Sequence, residues 1–153
     1  MDDGRYVVAE GTHSDGLQWV IWARRHQPSE GDLFTMIRVT DATGRILHGG
    51  ARGGPPLHPG HVLNVTTGGG DEGPRSLLAR VDPSVRRVEL RVQDGTTLEV
   101  PVYDCADVPE VRFASVLVPR EVSLESVAGF GEKNEELERF DLRFYQGQWE
   151  ERH

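Results

Sequence analysis

The sequence predicts an all-β protein, folded as a two-sheet antiparallel sandwich of about 9–10 strands. Eighteen glycines and nine prolines in 153 residues suit short strands joined by turns better than a helical bundle. Short runs such as Val88 to Val92 alternate apolar and polar residues, which is the period of a half-buried strand. No segment shows a convincing long helix. A chain of this length forms one domain, so we expect a single sandwich over 1–153 with a polar tail from about residue 146.

The first half of the chain contains six predicted strands. They are Tyr6 to Val8, Leu17 to Arg24, Leu33 to Thr40, Arg45 to His48, His61 to Thr66 and Leu77 to Val81. The second strand carries Trp19 and Ile21 on one side and Val20 and Trp22 on the other, which predicts cover on both faces. The stretch from Gly49 to Gly60 has three prolines and little apolar content. It is predicted to be a long loop.

The second half has a clearer pattern. Strands at Val88 to Val92 and Leu98 to Val102 flank Asp94-Gly95, which is a strong hairpin signal. Phe113 to Val118 is almost entirely apolar and is predicted to be a central strand. Val122 to Phe130 and Leu137 to Phe144 complete the set, the last with Phe140, Leu142 and Phe144 buried.

The charge balance restricts the classes of partner. The net charge is -8, and the positive charge comes almost entirely from arginine, since Lys133 is the single lysine. A phosphate backbone or an anionic membrane needs a concentrated basic face, so neither is expected as a partner. The start of the chain has no apolar signal-peptide core, and one cysteine forbids an internal disulfide. We therefore expect a soluble, cytoplasmic protein.

The segment His61 to Ser76 matches G-x-G-x-x-G through Gly68, Gly70 and Gly73. A dinucleotide site needs a helix after these glycines, whose N-terminus faces the pyrophosphate. Pro74 and the short segment behind it leave no room for that helix, and Asp71 and Glu72 would repel phosphate. We therefore predict a solvated, flexible connection and no cofactor.

The loop before this segment carries the candidate site residues. His58 and His61 lie three positions apart across a Pro-Gly turn and could converge on one metal ion. The third ligand could come from Asp71, Glu72 or His48. Alternatively, Arg52, His58 and His61 form a loop that binds an organic ligand or a protein partner, or the histidines are ordinary surface residues.

No catalytic residue is predicted. Cys105 lies between acidic neighbours, which disfavours a nucleophilic thiolate, and we expect it to be buried and inert. Trp19 and Trp22 differ by three positions, so they point to opposite faces of a strand, and core packing explains them best. Trp149 is in the polar tail, where it could anchor against the sandwich or a partner.

Several segments of the chain together resemble a family. They are Glu10-Gly11, Gly16-Leu17-Gln18-Trp19, Ala79-Arg80-Val81-Asp82, Val85 to Val92, Asp94-Gly95, and Arg112-Phe113 with Leu117-Val118-Pro119-Arg120. This order of features resembles small uncharacterised actinobacterial proteins. The resemblance implies an immunoglobulin-like β-sandwich and transfers no site residue, because the shared landmarks are turn glycines and core residues.

These observations favour a non-catalytic binding or protein-interaction module whose partner is an unknown protein or small molecule. The alternative is a metal-dependent enzyme or metal sensor that uses His58 and His61. An open sandwich also leaves free edges, so a homodimer through an edge strand is a third hypothesis.

Overall fold

The computed structural model describes residues 4–13, 16–25, 32–70 and 72–143, which form twelve β-strands. The strands of the first half are β1 (Arg5–Thr12), β2 (Gln18–Arg25), β3 (Leu33–Thr40), β4 (Ile46–Arg52), β5 (Leu63–Gly68) and β6 (Arg75–Val81). Those of the second half are β7 (Arg87–Val92), β8 (Thr97–Val100), β9 (Val102–Tyr103), β10 (Arg112–Val118), β11 (Leu124–Phe130) and β12 (Glu136–Asp141). The prediction of an all-β chain is confirmed.

The strands form three antiparallel sheets of four strands each. The first sheet has the order β1-β2-β3-β4, the second β5-β6-β10-β9 and the third β12-β11-β7-β8. The fold is sandwich-like, as predicted, but the described chain has three sheets instead of two and twelve strands instead of nine or ten. The sequence could not reveal the third sheet, because alternation identifies strands and says nothing about which strands share a sheet.

The second sheet is the middle layer, and its side chains alternate between two cores. Leu77 and Ala79 pack in the core shared with the third sheet, together with Val88, Leu90 and Val127. Their neighbours point the other way. Leu78 packs with Ile21, Ile37 and Val39 of the first sheet, and Phe113 packs with Ala23, Leu33 and the buried Cys105. The expectation that Cys105 is buried is confirmed.

The strands covered on both faces are therefore β6 and β10. The prediction that β2 is covered on both faces is wrong. On β2, Ile21 and Ala23 are completely buried, whereas Val20 and Trp22 on the opposite face are only partly buried. On this second face, Trp22 contacts Arg5 and Arg38 of the neighbouring strands instead of another sheet.

Most predicted strands are present, with shifted ends. The bounds of β3 are those predicted, and β10 lies centrally between β6 and β9, also as predicted. The predicted loop from Gly49 to Gly60 is wrong in its first part, because β4 continues to Arg52. Gly49 and Gly50 still pair with β3 there, since glycine does not prevent a backbone ladder from forming. Leu142 is buried, and Phe144 and the tail from 146 lie outside the described residues.

The glycine segment joins β5 to β6 and is packed against β4, which corrects the prediction of a solvated connection. A Cβ atom on Gly70 would lie 2.6 Å from the carbonyl oxygen of Leu47. A Cβ atom on Gly73 would lie 2.9 Å from Leu47 Cδ1, and Gly73 also has a φ of +82°, which favours glycine. Gly70 thus lets two backbones approach closely, and Gly73 leaves room for the side chain of Leu47. Asp71 lies outside the described residues.

Within the described ranges, no helix has the length and apolar content that crossing a membrane would require.

Candidate binding surface on the first sheet

The side of the first sheet that points away from the second sheet is called here the outer face. Strand register places Val7, Trp22, Met36 and Ala51 in one row across all four strands. The neighbouring rows add Arg5, Arg24 and Phe34 on one side, and Glu10, Val20 and Arg38 on the other. None of these ten residues is buried, and Val7 is 58% exposed. The outer face is therefore an open, partly apolar surface.

Trp22 is the centre of the outer face and contacts two arginines. The guanidinium carbon of Arg5 lies 4.5 Å from the centroid of the Trp22 ring, and that of Arg38 lies 4.9 Å from it. Arg5 comes from β1 and Arg38 from β3, so both strands beside β2 contribute one cation. Each contact of this kind at an exposed site stabilises by roughly 0.5–1 kcal/mol. The two guanidinium groups are thus held beside the ring.

A third arginine on this face also stacks on an aromatic ring. The guanidinium carbon of Arg24 lies 5.6 Å from the centroid of Phe34, its direct cross-strand partner. On its other side, Arg24 is the direct cross-strand partner of Arg5. Like charges in directly opposite positions destabilise a sheet. Arg5 and Arg24 lie side by side on neighbouring strands of the outer face.

Arginines elsewhere in the described structure are mostly paired with carboxylates. Such ion pairs include Arg25 with Glu110 at 2.5 Å, Arg112 with Asp104 at 2.7 Å, and Arg139 with Glu136 at 2.7 Å. In contrast, Arg24 and Arg38 form no ion pair with a carboxylate in the described part of the chain. Their N–H groups remain available to an anion.

Two open depressions lie on either side of Trp22, which lines both. One has a volume of about 360 Å³ and is lined by Arg5, Arg24, Phe34 and Met36. The other has a volume of about 610 Å³ and includes Arg38 and Val20 with the polar residues Glu10, Thr12, Gln18 and Thr40. Each depression combines at least one guanidinium with the tryptophan, so a ligand could cross Trp22 and contact arginine at both ends.

His61, a candidate from the sequence, is engaged with the third sheet. Its Nδ1 lies 2.5 Å from Glu138 Oε2, and Glu138 Oε1 accepts hydrogen bonds from the amides of Val62 and Leu63 at 2.8 and 3.0 Å. Burial raises the pKa of Glu138, but the hydrogen bonds from His61 and the two amides outweigh it and leave the pKa below its ordinary value. These contacts tie the loop before β5 to β12.

The other site residues predicted from the sequence take no part in the contact between the His61 and Glu138 side chains, or they lie outside the described residues. His58 is exposed, and its carbonyl accepts a hydrogen bond from the amide of His61 at 3.0 Å. Arg52 ends β4 opposite Thr35, and Glu72 pairs with Arg45. Asp71 is not among the described residues. No three His, Cys, Asp or Glu side chains in the described ranges are grouped to hold a metal ion, so the metal and ligand-loop hypotheses remain predictions.

His48 is buried beneath the glycine segment. It is 7% exposed, and neither ring nitrogen has a hydrogen bond of normal geometry. Burial, followed by the charge of Arg120, lowers the pKa of His48, although the backbone of Pro74 acts in the opposite direction. The imidazole is therefore held in its neutral form, as a packing residue.

Trp19 and Trp22 point to opposite faces of β2, as their spacing predicts, but only one of them packs in the core. Trp19 packs inward, 6.0 Å from Tyr103 between ring centroids, whereas Trp22 lies on the outer face. Core packing thus explains Trp19 and not Trp22, and Trp149 lies outside the described residues. The sequence did contain a signal for the outer face. Trp22 and Arg24 occupy same-face positions of β2, and Phe34 and Arg38 occupy same-face positions of β3.

Comparison of the chain with family models, with curated proteins and with solved structures finds no match in any of the three.

Proposed function

We propose that this protein is a non-catalytic binding module whose outer face holds an anionic partner. One observation carries the proposal: Trp22 is flanked by Arg5 and Arg38 on an open sheet face, although the chain has a net charge of -8. Function is argued from this site and not from the fold, because one fold can serve many functions.

Stacking prepares the arginines for binding. A guanidinium that rests on a ring has already lost part of its rotational freedom, so a new hydrogen bond costs less entropy. Charge-assisted bonds from arginine to a carboxylate or phosphate are shorter and stronger than neutral ones. An acidic protein also repels anions elsewhere on its surface, which favours their approach at a local positive face.

We further propose that the partner is a protein or a small molecule, and that the protein binds no nucleic acid, membrane or cofactor. We also propose that it works in the cytoplasm. The immunoglobulin-like relationship also remains a proposal. In this view the second and third sheets, which enclose the main core, correspond to the sandwich of that family, and the first sheet is an addition that carries the binding face.

Affinity capture with matched variants tests the binding face. The wild-type protein, the variant Arg24→Gln/Arg38→Gln and the control Arg91→Gln/Arg143→Gln are immobilised and exposed to the same native lysate. Both double variants lose two positive charges, but Arg91 and Arg143 lie on or beside the third sheet. We expect the wild type and the control to retain the same partner and the outer-face variant to lose it. Equal retention by all three proteins would refute the proposal.

A metal site at His61 is the second candidate, and one contact favours it. A carboxylate that binds one ring nitrogen of histidine commonly orients the other nitrogen toward a metal, and Glu138 holds Nδ1 of His61 in this way. Metal analysis of the purified protein tests it. Stoichiometric metal that is lost in His58→Ala/His61→Ala would support a metal-dependent enzyme or sensor, and metal-free protein would reject it.

A homodimer through an edge strand is a separate proposal. β1 is an eight-residue edge strand of the first sheet, but an irregularity between Val7 and Ala9 interrupts its pairing register. Bulges on edge strands oppose edge-to-edge association. Light scattering over a range of concentrations distinguishes a monomer from a dimer.

A further inference from the structure

We infer that an extended peptide segment of a partner protein adds to β10 as an antiparallel strand, in line with β9 and beyond its end. One apolar side chain of the peptide then lies in a cleft between the first and second sheets. The backbone of residues 115–118 on the side away from β6 is called here the open edge. This site is separate from the outer face and goes beyond the proposed function.

β10 has a full partner on one side and a short one on the other. All seven of its residues pair with β6, whereas β9 pairs only with Phe113 and Ala114. Next to them, the amide of Ser115 donates to the carbonyl of Pro101 at 3.2 Å. Val100, the residue before Pro101, already belongs to β8 of the third sheet. No strand of the described structure therefore continues the line of β9 along the open edge.

The open edge presents backbone groups that an extended chain can pair. In an antiparallel ladder, the N–H and C=O of one residue point to one side and those of the next residue to the other. Because Ser115 donates to the β9 side, Leu117 also presents its N–H and C=O at the open edge. In the described part of the chain, no backbone group bonds to them there. Pro101 has no N–H, so it cannot donate to the carbonyl of Ser115 either.

The cleft lies beside the open edge, on its first-sheet side. It has a volume of about 190 Å³, and Trp19, Ile37, Tyr103 and Leu117 contribute to its lining. The rings of Trp19 and Tyr103 lie 6.0 Å apart between centroids. In an added antiparallel strand, the residue opposite Leu117 exchanges two hydrogen bonds with it and projects to the same face of the sheet. That residue therefore directs its side chain to the cleft.

The size and polarity of the cleft favour one apolar side chain. Pockets for drug-sized ligands commonly measure about 300–1,000 Å³, which is larger than this cleft. Among the described residues, no Asp, Glu, Lys or Arg side chain lines it, so a charged side chain would lose its hydration there without a partner. Main-chain bonds to the edge and one side chain in a pocket are the usual recognition mode of strand addition.

The open edge lacks the features that protect the edges of other strands. Natural sheets blunt their edges with charged side chains and bulges. The edge strands β1, β8 and β12 carry such charges, for example Arg5, Glu99 and Glu136. Residues 115–118 are uncharged, and their pairing with β6 has no irregularity. The open edge therefore retains what favours pairing with another strand.

A peptide segment suits the open edge better than a second folded copy does. Pro101 and Pro119 bound the open edge, and its residues 115–118 span about 13 Å. A stable dimer commonly buries roughly 800 Å² on each partner, which an edge of this length does not supply by itself. An extended segment needs only this length.

Amide exchange in the free protein tests whether the edge is open. The ¹⁵N-labelled full-length protein is transferred to D₂O and followed by two-dimensional NMR. After correction for intrinsic rates, we expect the Leu117 amide to exchange at least about tenfold faster than those of Val116 and Val118, which face β6. Equal protection at the three positions would overturn the inference, because the edge would then be paired already.

Titration with three matched peptides tests strand addition. The probes are acetylated and amidated QTTLTTQ, the same peptide with its leucine amide N-methylated, and QTTATTQ. We expect QTTLTTQ to shift the Leu117 amide and the Trp19 indole, and to bind about tenfold more tightly than either control, which lacks the central N–H or the anchoring side chain. The Trp22 indole should not shift. The variants Trp22→Phe and Trp149→Phe assign the three indole signals.

A variant of the cleft and the remaining outcomes complete the test. Tyr103→Ala should weaken QTTLTTQ binding about fivefold, and Leu137→Ala on β12 should leave it unchanged, with backbone spectra verifying that both variants are folded. Equal binding of the three peptides, or no shift of the Leu117 amide at millimolar peptide, would reject strand addition. Protection of this amide that increases with protein concentration would assign the edge to a second copy instead. A shift of the Trp22 indole in place of Trp19 would move the peptide to the outer face and overturn the inference, while the proposed function would stand.

Discussion

Arg5 on β1 lies directly opposite Arg24 on β2, and the two guanidinium groups rest on different aromatic rings. Arg5 stacks on Trp22 and Arg24 on Phe34. Two like charges in cross-strand positions are thus each placed against an aromatic ring. Like charges in directly opposite positions of two strands destabilise a sheet.

The repulsion between Arg5 and Arg24 is measurable by a double-mutant cycle. The variants Arg5→Gln, Arg24→Gln and the double variant are unfolded in urea. We expect an unfavourable coupling of about 0.2–1 kcal/mol, because the pair is directly opposite, and a smaller coupling in 1 M NaCl, where charges are screened within about 3 Å. A favourable coupling, or one that salt does not change, would show that the two charges do not repel.

Gly70 is expected to tolerate no side chain. Alanine there would place Cβ 2.6 Å from the Leu47 carbonyl oxygen, and overpacking of this kind costs about 1–3 kcal/mol of unfolding free energy. Gly49→Ala is the control, because its Cβ would meet only the carbonyl oxygen of Ile37 at 3.6 Å. Urea unfolding of both variants checks the prediction, and equal stabilities would contradict it.

Arg80 is expected to be a structural residue that fixes the loop after β4. It is 1% exposed and donates to the carbonyls of Leu33, Gly53 and Pro55 at 2.7 to 3.1 Å. Burial, and then the nearby charge of Arg52, lowers the pKa of Arg80 to about 10, so the group stays charged at neutral pH.

The variant Arg80→Met leaves these buried carbonyls without donors, and we expect it to lower the free energy of unfolding by about 3 kcal/mol. Thermal and urea unfolding provide the measurement. The exposed neighbour Arg86 supplies the control, since Arg86→Met should change stability by no more than about 0.5 kcal/mol. An Arg80→Met variant as stable as the control would mean that the loop does not depend on these bonds.

His48 is expected to make the protein less stable in mild acid. The pKa of His48 lies below the ordinary value of 6.5 because the imidazole is buried. As the pH falls below 6.5, the unfolded chain takes up a proton that the folded chain binds only at lower pH, so stability decreases through that interval. The decrease has a limiting slope of about 1.4 kcal/mol per pH unit.

Urea unfolding between pH 7 and pH 5 measures this slope. Replacement by leucine at His48 should flatten the dependence, whereas His58→Leu should leave it unchanged because His58 is exposed. The interpretation fails if the His48 variant keeps the full dependence.

The strands could be predicted because each has local periodicity. β3 alternates Leu33, Thr35, Ile37 and Val39 inward with partly exposed residues outward, and its bounds agree with the prediction. The layering could not be predicted in this way. In β6, Leu77 and Leu78 face two different cores, and only the pairing of distant strands reveals that a third sheet supplies the second cover.

The outer face could not be predicted for a related reason. Trp22 reads as a core residue along β2, and the arginines that flank it lie on β1 and β3, so only the register of the sheet joins them. The loop histidines were predicted as a site because glycine, proline and histidine are concentrated in that stretch of the sequence. The close approach of Gly70 and Gly73 to Leu47 accounts for two of these glycines without a ligand.

The first sheet is built from one uninterrupted stretch of chain, Arg5 to Arg52, while the strands of the other two sheets alternate along the sequence. Neighbouring strands of this sheet are joined by short loops, so the hydrogen bonds between them re-form at little entropic cost after the sheet opens. We therefore expect the first sheet to be a separate cooperative unit that opens while the other two sheets stay intact. A partner on the outer face would stabilise this unit alone, and amide exchange would report its binding as slower exchange confined to residues 5–52.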